Sequence, residues 1–259
     1  MVPGMTPEAS VLIESSRRPV SDLAGRVVLV TGGGRGLGEA ICSVLGARGA
    51  VVIAADIEHG RALHCATTVS ENGGTAEGIG LDVTDVGDVV NALAGIVERH
   101  GALDAVINNA GVDITKPIDD ITVEEFDRVL DVNLRGPFLV AKHAMPLLTQ
   151  GQGHLVNIVS TASKRAWANA SAYHASKWGL LGLSHALHVE GRERGVKVTA
   201  IIAGGMRTPF LLDRFPDLDA ATLQDPRNVA NAVAFALTQP EGTVVPELTV
   251  IPMQETSWP

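Results

Sequence analysis

The fold is decided by the stretch Val27-Val28-Leu29-Val30-Thr31-Gly32-Gly33-Gly34-Arg35-Gly36-Leu37-Gly38. Its first five residues are apolar or β-branched, which is typical of a buried strand, and a helix-length segment follows the glycines. A glycine-rich turn lets the backbone approach a pyrophosphate, and the N-terminus of the next helix offers free N–H groups to that charge. A tight turn alone would also use glycines, and the spacing T-G-x-x-x-G-x-G is not the commoner G-x-G-x-x-G. Its position between strand and helix favours phosphate binding.

Strand and helix segments alternate along the rest of the chain. The predicted strands are 27–31, 51–55, 76–81, 105–108, 155–159, 196–202 and 248–251, of which 76–81 and 248–251 have the weaker patterns. The predicted helices are 37–48, 59–71, 86–99, 123–148, 170–194 and 227–238, with helix starts at Thr84-Asp85 and Asp225-Pro226. This alternation is typical of βαβ units with right-handed crossovers. We therefore predict a Rossmann-type, doubly wound α/β fold, with a seven-stranded parallel sheet flanked by helices on both faces.

The domain prediction is a single domain over residues 25–259, preceded by a loosely ordered N-terminal extension, 1–24. The net charge of −9 argues against binding to nucleic acid or to an anionic membrane. Cys42 and Cys65 fall in different predicted helices and are expected to be reduced core thiols, and the histidines lack a metal-ligand spacing. No signal peptide and no apolar run of about 18 residues is visible, so we expect a soluble, cytoplasmic protein without a metal.

Asp56 follows the second predicted strand. A carboxylate there can accept hydrogen bonds from both ribose hydroxyls of an adenosine and would repel a 2′-phosphate. Arg35 in the glycine turn favours that phosphate instead, but Ile57 follows Asp56 where a second cation could have paired with it. NAD is therefore the predicted cofactor, ahead of NADP. A helix N-cap is the structural alternative for Asp56, and it is compatible with ribose binding.

Tyr173 is the only tyrosine of the chain, and Lys177 follows it at a spacing of four residues. On a helix this spacing places both side chains on one face. An ammonium near a phenol favours the phenolate and lowers its pKa toward neutrality, where an acid/base works best. For an isolated Y-x-x-x-K pattern, an ordinary tyrosine and a surface lysine would be the better interpretation.

The pattern is not isolated, because Asn108-Asn109-Ala110-Gly111 and Ser160 stand in register with it. With the glycine turn and Asp56, these residues resemble the single-domain short-chain dehydrogenase/reductase family over residues 25–251. The resemblance implies a catalytic set, in which Ser160 orients the reacting oxygen and Tyr173 is the acid/base. Lys177 would lower the tyrosine pKa and bind the nicotinamide ribose, and Asn133 would hold a water that links Lys177 to solvent.

The resemblance also implies the cofactor contacts. They are Gly32, Arg35, Gly36, Leu37, Gly38, Asp56, Asp82, Val83, Asn109, Ala110, Gly111, Tyr173, Lys177, Gly204 and Thr208. Two departures from the family pattern are visible. The usual proline after the sixth strand is absent from Ala203-Gly204-Gly205, which predicts a less rigid loop. The C-terminus lacks the usual Asp-Gly-Gly, so the homo-oligomer common in the family, a tetramer or dimer, is expected only as a family property.

The function implied by the resemblance is reversible hydride transfer between a nicotinamide cofactor and an alcohol or carbonyl group of a small organic substrate. Two alternatives remain: a non-catalytic NAD(P)-binding redox sensor, and an epimerase or dehydratase on the same scaffold. The predicted substrate lid is 207–225, and further mouth residues are Lys164, Arg165, Trp167 and His174. The apolar lid residues Phe210, Leu211, Leu212 and Phe215 suggest a partly hydrophobic substrate. Arg207 or Arg214 of the lid could bind an anionic group of the substrate. Each of these lid residues has an ordinary packing or solvated alternative.

Overall fold

A computed structural model of the chain describes residues 23–148 and 153–255. Almost all of the predicted N-terminal extension lies outside the described residues. Leu23, which the prediction placed in that extension, is fully buried, and its amide donates to the Arg48 carbonyl oxygen. The packed part of the chain therefore begins at least two residues before the predicted boundary.

Seven parallel strands form one sheet in the order β3-β2-β1-β4-β5-β6-β7. The strands are β1 Val27–Thr31, β2 Val51–Asp56, β3 Thr75–Gly80, β4 Ala105–Asn108, β5 His154–Ser160, β6 Lys197–Ala203 and β7 Glu247–Val250. The order reverses between β1 and β4, so the carboxyl ends of these two strands flank the crevice in which doubly wound sheets bind ligands. The predicted fold class is confirmed.

The described part of the chain contains eight α-helices. They are α1 Gly36–Gly46, α2 His59–Glu71, α3 Val86–His100, α4 Val123–Leu130, α5 Gly136–Leu148, α6 Ser171–Arg192, α7 Pro209–Leu212 and α8 Pro226–Leu237. Of these, α1, α2 and α8 cover one face of the sheet, and α3, α5 and α6 cover the other. Both predicted helix starts are confirmed, because Asp85 and Asp225 accept hydrogen bonds from the first-turn amides of α3 and α8.

Two hydrophobic clusters hold these helices on the sheet. Val28 and Val30 of β1 point into a cluster shared with α1, α2 and α8, and Leu29 points into one shared with α3, α5 and α6. Successive strand residues face opposite sides, so a sheet covered on both faces needs continuously apolar strands. This is why the central strands are nearly uninterrupted apolar runs in the sequence. Cys42 and Cys65 are buried in the first cluster and are not disulfide-bonded, as expected.

The single helix predicted over 123–148 is wrong in its middle. Helix α4 ends at Leu130, a π-helical turn covers Asp131–Arg135, and α5 begins at Gly136. A π turn inserts one residue into the helical repeat and frequently occurs at functional sites. Here it carries Asn133, whose side chain is fully buried. No described helix is both long and apolar enough to cross a membrane.

Candidate active site

A cavity of about 1160 Å³ opens at the carboxyl ends of the strands. Of the seventeen different residues predicted for catalysis or cofactor binding, sixteen line the cavity and Asn133 does not. The sixteen are Gly32, Arg35, Gly36, Leu37, Gly38, Asp56, Asp82, Val83, Asn109, Ala110, Gly111, Ser160, Tyr173, Lys177, Gly204 and Thr208. The cavity therefore brings together the cofactor contacts and the Ser160, Tyr173 and Lys177 set.

The glycine turn is packed so closely that side chains would not fit in it. A Cβ on Gly38 would lie 2.0 Å from the Gly32 carbonyl oxygen, and one on Gly32 would lie 2.8 Å from the Ala110 Cα. Gly36 has a φ of +59°, in the left-handed region that favours glycine. The side-chain amide nitrogen of Asn109 donates to the carbonyl oxygens of Thr31 and Gly32, at 2.9 and 3.0 Å. The turn after β4, Asn108–Gly111, therefore holds the glycine turn in a narrow concave form that fits a pyrophosphate. We call this concave glycine turn the cradle.

Asp56 lies at the end of β2, at the side of this cradle. One carboxylate oxygen accepts from the Gly34 amide at 3.1 Å, and the other accepts from the Glu58 amide at 3.0 Å. The carboxylate is thereby held against the turn while Asp56 still lines the cavity. Arg35 is half exposed and lies 4.0 Å from Asp213, so its guanidinium has only a loose partner.

Ser160, Tyr173 and Lys177 come from two neighbouring elements. Ser160 ends β5, and the other two lie in the first two turns of α6, so that all three meet on one wall of the cavity. The Lys177 ammonium donates to the Ile158 carbonyl oxygen at 2.9 Å and lies 5.7 Å from the centre of the Tyr173 ring. The predicted shared helix face is confirmed.

The predicted lowering of the Tyr173 pKa is wrong for the protein without bound cofactor. Burial raises the pKa of Tyr173 to about 12, with a smaller contribution from the Asp113 charge, while the Ser160 hydroxyl and Arg214 act in the opposite direction. Burial also lowers the pKa of Lys177 to about 8, against the influence of Asp113. Desolvation disfavours the charged form of each group, and for Tyr173 it outweighs the opposing influence of Ser160 and Arg214. The Lys177 charge, from which the sequence suggested a lowered pKa, is not among the causes of the Tyr173 shift.

Asn133 is fully buried and does not line the cavity. Its amide nitrogen donates to the Val112 carbonyl oxygen at 2.7 Å and to the Ser176 hydroxyl at 3.1 Å, and its Oδ1 accepts from the Val112 amide at 2.8 Å. Both amide protons are thus committed to protein partners. Only Oδ1 has capacity left for the predicted water, and the contacts themselves fix the Val112 backbone beside the cavity.

The loop after β6 is held in place although it lacks the family's proline. The Gly205 amide donates to Glu255 Oε2 at 3.0 Å, and the Gly204 amide donates to the Val250 carbonyl oxygen at 2.9 Å. The Gln224 amide donates to the Gly205 carbonyl oxygen at 3.2 Å. Glu255 and two neighbours near the C-terminus also line the cavity. The departures in this loop and at the C-terminus therefore meet at one contact, which the sequence did not reveal.

The predicted substrate-side residues divide into two groups. Phe210, Leu211, Arg214, Phe215 and Trp167 line the cavity, whereas Lys164, Arg165, His174, Arg207 and Leu212 do not. His174 instead fixes the loop before α6, because its ring nitrogens contact the Ala162 carbonyl oxygen and the Trp167 amide. Lys164 pairs with Glu247 at 3.0 Å.

Asp113 is a cavity residue that the sequence analysis missed. It follows the Asn108–Gly111 turn by two positions and contacts Arg214 of the segment that follows α7. The sequence did contain a signal for Asp113, because a charged residue two positions after that turn lies near the carboxyl end of β4. Its partner could not be inferred, because the two residues are far apart in sequence.

Comparisons with known proteins agree on the kind of scaffold. The family model for short chain dehydrogenases matches residues 26–219. An uncharacterized oxidoreductase of Staphylococcus aureus is 34% identical over 232 residues, which is 89% of this chain and 99% of the relative. A similarly described oxidoreductase of Staphylococcus epidermidis is 31% identical over 229 residues, covering 88% of this chain and 97% of its own.

Two solved structures are similar over almost the same length. A metagenomic short-chain oxidoreductase in complex with NADP has 31% sequence identity and a TM-score of 0.79, covering 89% of this chain and 99% of that one. A dehydrogenase/reductase from Sinorhizobium meliloti 1021 has 31% identity and a TM-score of 0.82, covering 90% and 96%.

Proposed function

This chain is an oxidoreductase of the short-chain dehydrogenase/reductase family, and we propose that it transfers hydride reversibly between a nicotinamide cofactor and an alcohol or carbonyl group of a small organic substrate. The observation that carries the proposal is the convergence of Ser160, Tyr173 and Lys177 on the cavity that also contains the glycine turn and Asp56. The cradle would hold the pyrophosphate, and the Ser160 wall would hold the reacting group.

Tyr173 is the acid/base in this proposal, and the pKa of about 12 defines its resting state. At neutral pH the phenol keeps its proton, so it is ready to donate to a carbonyl oxygen during reduction. The Ser160 hydroxyl donates a second hydrogen bond that orients the same oxygen. When bound, the nicotinamide supplies the hydride, or accepts it in the reverse direction.

Lys177 has two roles in the proposal. Its ammonium is anchored on the Ile158 carbonyl oxygen and retains donors for the ribose hydroxyls of the cofactor. Its pKa of about 8 leaves it mostly charged at neutral pH, where it favours the phenolate that forms after proton donation. Asn133 supports this arrangement by fixing the backbone at Val112 and has Oδ1 capacity for a water.

NAD is the proposed cofactor, because the buried Asp56 carboxylate lies where a 2′-phosphate would bring a second negative charge. We predict that Asp56→Asn raises the NADP-to-NAD ratio of kcat/KM by at least about fivefold, since two nearby like charges cost at least about 1 kcal/mol. Steady-state kinetics with both cofactors measure the ratio, and the exposed Asp119→Asn serves as the control. A wild-type preference for NADP would contradict the NAD assignment and give Arg35 the greater weight.

The test of the proposed function is turnover of a panel of alcohols and ketones, run with NAD and NADP in parallel. The expected result is substrate-dependent oxidation or reduction of the cofactor. Cofactor binding without turnover of any substrate would favour the redox sensor. Product formation without net change in the cofactor would favour an epimerase or dehydratase, in which the nicotinamide is regenerated in each cycle.

A further inference from the structure

A charged pair joins two walls of the cavity beside Tyr173. Asp113, which follows β4, contacts the guanidinium of Arg214, which lies two residues beyond α7. The Asp113 side chain is only 8% exposed. Its Oδ2 contacts Arg214 Nη1, whereas its Oδ1 is buried and has no hydrogen-bond partner among the described residues.

Arg214 is held firmly by its other neighbours. Its Nε donates to the Phe210 carbonyl oxygen at 2.8 Å, and its guanidinium carbon lies 4.3 Å from the Phe210 ring centre and 5.6 Å from that of Phe215. The Phe210 ring in turn lies 6.1 Å from the Tyr173 ring. The Asp113–Arg214 pair is therefore next to the proposed acid/base. Consistent with that position, Asp113 raises the pKa of Tyr173 and Arg214 lowers it, both by less than burial raises it.

The pairing changes the expected charge of the substrate. Asp113 neutralises Arg214, which two aromatic rings also cover, so this guanidinium is not free to receive a substrate anion. Arg207, the other candidate for an anion, donates to the Leu223 carbonyl oxygen at 2.6 Å and does not line the cavity. The cavity end near Tyr173 is lined by Trp167, Phe210 and Phe215, which suits an uncharged, partly apolar molecule.

The partnerless oxygen points to the remaining feature of the substrate. A buried carboxylate oxygen without a donor is costly, and a charge-assisted hydrogen bond that satisfies it is worth more than one between neutral groups. We propose that Asp113 is a specificity-determining residue, whose Oδ1 accepts a hydrogen bond from a second hydroxyl or amino group carried by the substrate near its reacting carbon. This inference rests on the proposed function and narrows its substrates to diols, hydroxyketones and amino alcohols.

The test compares substrates that differ only by the second hydroxyl. Suitable pairs are cyclohexanol with 1,2-cyclohexanediol, and 2-butanol with 2,3-butanediol. We expect wild-type kcat/KM to be at least about tenfold higher for the diol. In Asp113→Leu the diol-to-alcohol ratio should fall to about one, because the acceptor is gone. Any loss through folding or proton transfer affects both members of a pair and cancels in the ratio.

A second variant distinguishes the effect of the Asp113 acceptor from the effect of its contact with Arg214. Arg214→Gln removes the charged pair but leaves the Asp113 acceptor, so its diol-to-alcohol ratio should remain high. Equal turnover of both members of each pair by the wild type would overturn the inference while leaving the proposed function intact. An unchanged diol-to-alcohol ratio in Asp113→Leu would also overturn the inference. An equal fall of that ratio in Asp113→Leu and Arg214→Gln would overturn it as well. Failure to turn over any compound with either cofactor would instead contradict the proposed function.

Discussion

The Tyr173 phenol shows how burial competes with a neighbouring charge. Burial is the largest influence on its pKa and raises it to about 12, although Lys177 lies one helical turn away. Since the chain has one tyrosine, any phenolate absorbance of the folded protein comes from this residue.

We predict that the cofactor-free protein develops no phenolate absorbance below about pH 10, the ordinary tyrosine value. The sign follows from the raised pKa, because the folded state retains the proton beyond the pH at which an exposed tyrosine loses it. An ultraviolet titration, with circular dichroism to confirm that the protein stays folded, makes the measurement. Tyr173→Phe provides the blank, and a transition below about pH 9 would contradict the prediction.

Individual residues differ in how far the sequence specifies them. Gly38 and Asp56 could be placed from the sequence, because each occupies a fixed position beside a strand end. The Asp113–Arg214 pair could not, since it depends on how a distant loop folds over the cavity. The pKa of Tyr173 also escaped prediction, because desolvation depends on the complete three-dimensional surroundings of the group.

At the scale of elements, the connection between β1 and α1 is the most constrained part of the site. A Cβ on Gly38 would overlap the Gly32 carbonyl oxygen, so the turn cannot keep its form with alanine there. We predict that Gly38→Ala lowers the free energy of unfolding by about 1–3 kcal/mol and weakens cofactor binding.

Urea unfolding and calorimetric titration with the cofactor measure the two effects of Gly38→Ala. The matched control is Gly242→Ala, because a Cβ at Gly242 meets no atom within 4 Å. Its unfolding free energy should stay within about 0.5 kcal/mol of the wild type. Similar behaviour of both alanine variants would show that the turn tolerates a side chain.

The strand and helix pattern predicted these elements well, but not the break between α4 and α5. Residues 123–148 carry a continuous helical pattern, and the π turn at Asp131–Arg135 adds only one residue to the repeat. A change of that size alters the direction of the following side chains without leaving a clear mark in the hydrophobic periodicity. The contacts of Asn133 with Val112 and Ser176 are needed to reveal it.

At the scale of the whole molecule, a buried histidine couples stability to pH. His154 at the start of β5 contacts the Thr199 hydroxyl at 2.8 Å, and that hydroxyl donates to the Val245 carbonyl oxygen. Burial, together with the positive charges of Arg26 and Lys197, lowers the pKa of His154 to about 3. The folded protein therefore keeps this imidazole neutral at pH values where the unfolded chain binds a proton.

The lowered pKa fixes the sign of the effect. Its stabilising contribution is present above the unfolded value of about 6.5 and is lost as the pH falls toward 3. We predict that His154 alone lowers the free energy of unfolding by about 2 kcal/mol between pH 7 and pH 5. Urea unfolding at both pH values should show a smaller decrease for His154→Gln than for the wild type. The exposed His64→Gln is the control, and an equal decrease in wild type and His154→Gln would contradict the prediction.

The central claim is that Tyr173 is the acid/base of an oxidoreductase, and Tyr173→Phe tests it most directly. The variant removes one hydroxyl from a residue whose ring packs in the wall, so the fold and cofactor affinity should change little. We predict that kcat/KM falls by about 10²–10⁴-fold with the cofactor Kd nearly unchanged. Turnover of the variant at close to the wild-type rate would contradict the account.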